Sequence, residues 1–173
     1  MTAHTTSRFL EPRISSATPR AMERPALMIW LESMLAAAFV VAADQLSKAF
    51  VLARWPLAGV TQPRSFVSIR CILNRQGTLA AFAGVPALAA LWATMIVLAA
   101  LTLHTGLLGH DALVPIGVGT ALGGATGNVL DRLYRGAVVD FVAIGPWPVF
   151  NLADAALVAG TSLILLTALS GHA

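Results

Sequence analysis

The sequence predicts a mainly α, integral membrane protein: four transmembrane helices with a small extramembrane β-containing element. Three observations predict it. Of the 173 residues, 57% are hydrophobic and only 11% charged, against roughly a quarter charged in an ordinary soluble domain. Four apolar segments come close to the about 20 residues needed to cross a bilayer. Between the first two lies a run rich in Val, Ile and Phe, residues 65–73, with Ser68 and Arg70 on alternate positions, which is the period of a strand.

Residues 1–24 hold Arg8, Glu11, Arg13, Arg20, Glu23 and Arg24 among Ser, Thr and Pro. This composition predicts a flexible basic tail, so residues 25–173 form a single membrane-embedded domain. Pro25 to Ala43 is apolar apart from Glu32 and Ser33, and the first helix runs past Asp44 to about Phe50. A basic start and Val41-Ala42-Ala43 mimic a cleaved secretory signal, but Glu32 interrupts the apolar core and the basic region is long. The segment therefore reads as an uncleaved first helix. In residues 51–85, Trp55-Pro56 and Gln62-Pro63 mark turns. Pro86 to Leu103 carries no Asp, Glu, Lys or Arg and reads as the second helix, with Pro86 in its first turn. A polar turn follows, holding His104 and His110. Ala112 to Leu130 is the third helix. Gly119, Gly123 and Gly127 share one face of it and allow close helix approach. Leu152 to Leu169 is the fourth.

Composition also excludes. The only cysteine is Cys71, so there is no intramolecular disulfide framework; a small buried hydrophobe is its default reading. His4, His104, His110 and His172 show no ligand spacing, and neither a metal nor a cofactor is expected. The net charge of +3 is small and the basic residues are dispersed, so nucleic-acid binding is not indicated. Arg8, Arg13, Arg20 and Arg24 favour a cytoplasmic tail, but Lys48, Arg54, Arg64, Arg70 and Arg75 fall on the other side. The positive-inside count does not decide the orientation.

Ionisable groups beside membrane segments are costly unless paired or facing water, so each needs a reason. Asp44 and Lys48, at i and i+4, can pair on one helix face; both an interfacial ion pair with a snorkelling lysine and a role in a site fit. Asn128, Asp131 and Arg132 share a face at the end of the third helix. They suit a polar plug, or support of a nearby site, with the arginine fork offered to a carboxylate. Asn151 and Asp154 have the spacing of a capping box. Capping leaves Asp140 unexplained, an acid inside the apolar, β-branched run 137–144. Together Asp140 and Asp154 suggest a dyad sharing one proton: one carboxylate draws a proton from water while the other donates to a carbonyl. A proton-coupled transporter would use similar groups, but the internal repeats common in transporters are not seen. A purely structural membrane subunit is the third reading.

The blocks GNVLDRLYRGAVVDF (127–141) and FNLAD (150–154), with Asp44-Gln-Leu-Ser-Lys48, resemble the signal peptidase II family of membrane aspartic proteases, over roughly residues 27–170. The resemblance implies an aspartic endopeptidase with Asp140 and Asp154 as the catalytic pair. It implies that Asp44, Lys48, Asn128, Arg132 and Asn151 line or support the site, and that Asp131 serves structural integrity. The family's Asn-x-Gly block is matched at Asn74 with altered spacing, since Gly77 lies three residues on and Thr78-Leu79 reads as an insertion. The implied substrates are prolipoproteins, cut before a cysteine that carries diacylglycerol. The implied setting is the bacterial cytoplasmic (inner) membrane, with both termini inside and the site near the outer face in contact with lipid. A monomer inhibited by globomycin is expected.

Overall fold

The computed structural model describes residues 24–55, 57, 66–75, 80–108 and 111–170. The tail up to residue 23, the turns at Pro56 and 62–63, the 76–79 segment, His4, His110 and His172 lie outside these residues. Six elements follow in order: α1 (Ala26–Arg54), β1 (Val67–Asn74), α2 (Ala80–Thr105), α3 (Leu113–Arg135), β2 (Val138–Ile144) and α4 (Leu152–Ser170).

By length and composition α1, α3 and α4 can each cross a membrane. α2 is a fourth apolar helix, shorter in its apolar stretch Ala89–Thr105. At about 1.5 Å per residue, the 29 residues of α1 make it longer than a hydrocarbon core of about 30 Å is thick. α1 stops where Trp55 turns extended, at φ −115° and ψ 127°, because the residue before a proline is disfavoured in the helical region. The α1 side chains Leu27, Met34, Phe39 and Leu46 are strongly exposed, as expected of a surface that meets lipid rather than water.

α2 begins at Ala80, six residues before the expected start, and Pro86 lies inside it. Only the first four N–H groups of a helix lack an intrahelical partner. Pro86 lies beyond them, so it costs the helix one hydrogen bond, and the apolar run on both sides carries the helix through.

α3 is the central helix, packed against both α1 and α4. Its glycine face meets α1 as expected: an added Cβ at Gly119 would lie 2.1 Å from the Ser33 carbonyl oxygen, and one at Gly123 2.8 Å from that of Ala37. α3 ends at Gly136, whose φ of 68° is left-handed and whose N–H closes on the Arg132 carbonyl. That cap turns the chain directly from helix into β2.

β1 and β2 form an antiparallel two-stranded sheet, with an irregularity between Ile69 and Ile72. The expected strand at 65–73 is present, displaced by a residue or two. Its partner comes from residues 138–144 rather than from within 51–85, so the β element joins two distant parts of the chain. Buried Val51, Cys71, Val139 and Phe141 make the small core beneath it. Cys71 is a free, buried thiol, as its surroundings in the sequence suggested.

Candidate active site

Three elements converge at the end of the bundle beside the sheet: the last turns of α3, strand β2 and the first turn of α4. Asp140 lies mid-strand in β2 and is buried. Its Oδ1 accepts from Asn151 Nδ2 at 2.8 Å and its Oδ2 from Asn74 Nδ2 at 3.0 Å. Burial pushes the Asp140 carboxyl above the ordinary carboxylate range; the Asn74 amide opposes this, the charge of Asp154 adds to it, and Asn151 and Lys48 oppose it more weakly. The net shift is upward.

Asp154 stands in the first turn of α4 and forms a capping box with Asn151. The Asp154 amide donates to Asn151 Oδ1 at 2.9 Å, and the Asn151 amide donates to Asp154 Oδ2 at 3.3 Å. Asn128 completes the set: its Nδ2 donates to Asp154 Oδ1 at 2.7 Å, while its Oδ1 accepts from Asn151 Nδ2 at 3.0 Å and from Lys48 Nζ at 3.2 Å. Asn151 thus links the two carboxylates, reaching Asp140 with its side chain and Asp154 with both side chain and backbone.

Behind this layer lies an ionic cluster. Lys48 Nζ is 2.7 Å from Asp44 Oδ2 and 2.8 Å from Asp131 Oδ2, and all three side chains are fully buried. The lysine therefore does not snorkel to water; it pairs inside the bundle. Asp44 Oδ1 accepts from the Ala153 amide at 3.0 Å, at the positive end of α4, where a carboxylate is favoured. Asp131 Oδ2 also accepts from the Val139 amide at 3.0 Å.

The structure brings Asp44, Lys48, Asn74, Asn128, Asp131, Asn151, Asp140 and Asp154 into one network. Asn74 joins it despite its altered spacing, because pairing of β1 with β2 brings Ile72 opposite Asp140 and leaves Asn74 within reach. Arg132 differs from expectation. Among the described residues it offers no fork to a carboxylate, and its Nη1 contacts the Arg75 carbonyl at 3.4 Å. The guanidinium on the carboxylate belongs to Arg135, which pairs with Asp131 and donates to Gln45 Oε1 at 2.9 Å. Arg135 and Gln45 were missed in the sequence. The available signals were the i+4 spacing of Arg135 from Asp131 and the position of Gln45 beside Asp44.

Fold and site together define a multi-helix membrane protein that holds two carboxylates in a cage of asparagine amides. Residues 36–170 match the model of the family described as signal peptidase (SPase) II, and the chain belongs to that family: it is a membrane protease. It is similar to a lipoprotein signal peptidase of Syntrophomonas wolfei, 36% identical over 133 residues, covering 75% of this chain and 87% of the relative. It is also similar to a lipoprotein signal peptidase of an Azoarcus species, 33% identical over 161 residues, covering 84% and 87%. Among solved structures, one of a bacterial membrane enzyme superposes with a TM-score of 0.69 at 24% identity, over 82% of this chain and 89% of that one. Another, also of a bacterial membrane enzyme, gives 0.64 at 26% identity, over 78% and 90%.

Proposed function

We propose that this chain removes the signal peptide from diacylglyceryl-modified prolipoproteins, cleaving before the lipidated cysteine by a two-aspartate acid–base mechanism. The observation that carries the proposal is the pair Asp140 and Asp154, on different elements and linked through Asn151. Asp154 opens a helix, whose dipole favours a carboxylate, and it acts as the base. Asp140 is buried on a strand and keeps its proton more readily than an ordinary carboxyl; it acts as the acid. Water gives a proton to Asp154 as its oxygen bonds to the scissile carbonyl carbon, and Asp140 protonates the carbonyl oxygen. Collapse of the tetrahedral intermediate breaks the C–N bond; the leaving nitrogen takes the proton from Asp154, and Asp140 recovers its own. Asn74 and Asn151 hold Asp140 in place, and Asn128 and Asn151 hold Asp154.

On this reading Asp44, Lys48 and Asp131 brace the site from behind, and Arg132, bonded to the Arg75 carbonyl at the end of β1, supports it from the side. The protein works as a monomer in the bacterial cytoplasmic membrane, with both termini cytoplasmic, the site near the outer face and globomycin as an inhibitor. Residues 25–173 carry the activity. The tail, residues 2–24, is dispensable for cleavage; Arg24, its last residue, pairs with Glu32 of α1.

The test is incubation of purified protein with a diacylglyceryl-modified prolipoprotein and mass measurement of the product. Cleavage directly before the modified cysteine is expected, unaffected by chelators. Asp140→Asn and Asp154→Asn should each abolish turnover while substrate still binds. Substantial cleavage by either variant removes the dyad from consideration.

A further inference from the structure

Asp131 is bonded toward both carboxylates of the dyad. Its Oδ2 accepts from the amide of Val139, the residue immediately before Asp140, at 3.0 Å. The same oxygen lies 2.8 Å from Lys48 Nζ. Lys48 donates to Asn128, and Asn128 donates to Asp154. One oxygen therefore fixes the strand that carries Asp140 and, through two side chains, the Oδ1 side of Asp154.

The other oxygen of Asp131 meets a different pair. Its Oδ1 accepts from Gln45 Nε2 at 3.2 Å and pairs with Arg135 Nη1. Gln45 is itself anchored, donating to Asp44 Oδ2 at 3.1 Å and to the Gly127 carbonyl at 3.2 Å, and accepting from Arg135. Asp44, Lys48 and Asp131 are fully buried, whereas the Arg135 side chain is 28% exposed. Two carboxylates and one ammonium leave the buried cluster one negative charge in excess. The Arg135 guanidinium cancels it, and an uncompensated buried charge is strongly unfavourable.

We propose that Arg135, seated by Gln45, is a positioning residue for the peptidase reaction: it neutralises and orients Asp131, and through Asp131 it sets the placement of both dyad carboxylates. The inference rests on the two-aspartate reading of the site. Arg135 does not touch the reacting atoms. It acts through Val139 on one carboxylate and through Lys48 and Asn128 on the other.

This role differs from that of a simple brace in its pH signature. The charged groups bonded to Asp131 are Lys48 from α1 and Arg135 from α3; Asp44 of α1 pairs with the same Lys48, Asp140 of β2 follows Val139, whose amide Asp131 accepts, and Asp154 of α4 is reached through Asn128. Removing the guanidinium leaves an extra negative charge among them. That charge disfavours ionisation of the dyad, so both limbs of the pH–rate profile move to higher pH.

The experiment compares the native full-length chain with Arg135→Leu and Arg135→Lys in detergent, on modified prolipoprotein, across pH. Arg135→Leu should lower kcat about tenfold, the scale of a small misplacement of reacting groups. KM should stay within about twofold of native, and the profile should move up by about half a pH unit. Arg135→Lys should restore the profile and most of kcat. A native kcat and profile in Arg135→Leu overturn the proposal, as does a loss of rate that only tracks loss of folded protein with the profile unmoved. Should Arg135→Leu not fold, Gln45→Leu carries the test: it keeps the charge and loses the seating, so kcat should fall with the profile in place, and a native kcat overturns the proposal. Asp140→Asn run alongside separates the two readings. If that variant is inactive while Arg135→Leu is native, the positioning role fails and the dyad stands; if it is active, the dyad itself fails.

Discussion

Asn151 and Asp154 bond each other in both directions, the Asp154 amide donating to the Asn151 side chain at 2.9 Å and the Asn151 amide to the Asp154 carboxylate at 3.3 Å. The capping box that starts α4 is also what aims one of the two carboxylates. On the proposed two-aspartate reading, structural and chemical duties fall on the same residue, and substitution at Asn151 can separate them.

Asn151→Ser keeps a side-chain oxygen for the Asp154 amide but has no amide to give Asp140 or Asn128. Its unfolding midpoint in detergent should fall less than that of Asn151→Ala, while turnover falls at least about tenfold. Asn151→Ala should fall equally in turnover and be less stable than Asn151→Ser by about 1 kcal/mol, the usual worth of such a cap. Equal stability in the two variants would show that capping is not what Asn151 contributes to the fold.

Asp140 links pH to stability. Its carboxyl is raised in the folded protein, mainly by burial. As pH rises, the unfolded chain releases this proton first, so the folded state holds more protons and stability falls through that interval. The contribution is fully present below the ordinary aspartate value of about 3.9 and is lost up to the raised one. Asp140→Asn cannot ionise. It should gain stability relative to the native chain as pH rises through this window, measured as the difference in unfolding midpoint at a series of pH values. A constant difference would contradict the shift.

Lys48 is held between Asp44 and Asp131 with no exposure. Lys48→Met leaves buried carboxylates without their cation and should cost about 3–5 kcal/mol, seen as a large drop in unfolding midpoint. The double change Lys48→Met with Asp44→Asn should recover part of that, since Asp131 keeps Arg135. No recovery would mean that the cluster does not act as a charge-balanced unit.

Gly119→Ala drives a methyl group toward the Ser33 carbonyl, 2.1 Å away, where only backbone could yield. Gly117→Ala meets Ile164 Cγ1 at 3.0 Å and the Gly160 carbonyl at 3.1 Å, where small shifts suffice. Overpacking typically costs about 1–3 kcal/mol, and Gly119→Ala should lie at or beyond the upper end, with Gly117→Ala clearly milder. Unfolding midpoints of the two variants check the order.

The helices were legible because apolar length states itself in composition, and the glycine face of α3 because four-residue spacing is a one-dimensional signal. Strand β1 showed its alternation, but its pairing did not: Asn74 meets Asp140 across 66 residues of chain, and no local pattern encodes that register. The start of α2 was misplaced because Pro86 looks like a first-turn residue when seen alone. At the site, the acids and asparagines stood out as polar residues in apolar surroundings. Arg135 did not, since it ends a helix at the surface, where an arginine is ordinary. The fork to a carboxylate was expected of Arg132, but Arg135, the i+4 neighbour of Asp131, takes that carboxylate, since residues four apart on a helix lie on one face.

The bond from the Ala153 amide to Asp44 Oδ1 joins the first helix to the last. A ribosome makes α1 first and α4 last. Until α4 is inserted, that oxygen of Asp44 lacks its backbone donor and Asn128 lacks the Asp154 carboxylate. The polar groups of α1 and α3 lack these partners until α4 is in place. Insertion of α4 is thus a step in assembling the polar network, and a nascent chain that stops short of α4 holds Asp140 without Asn151 and Asp154.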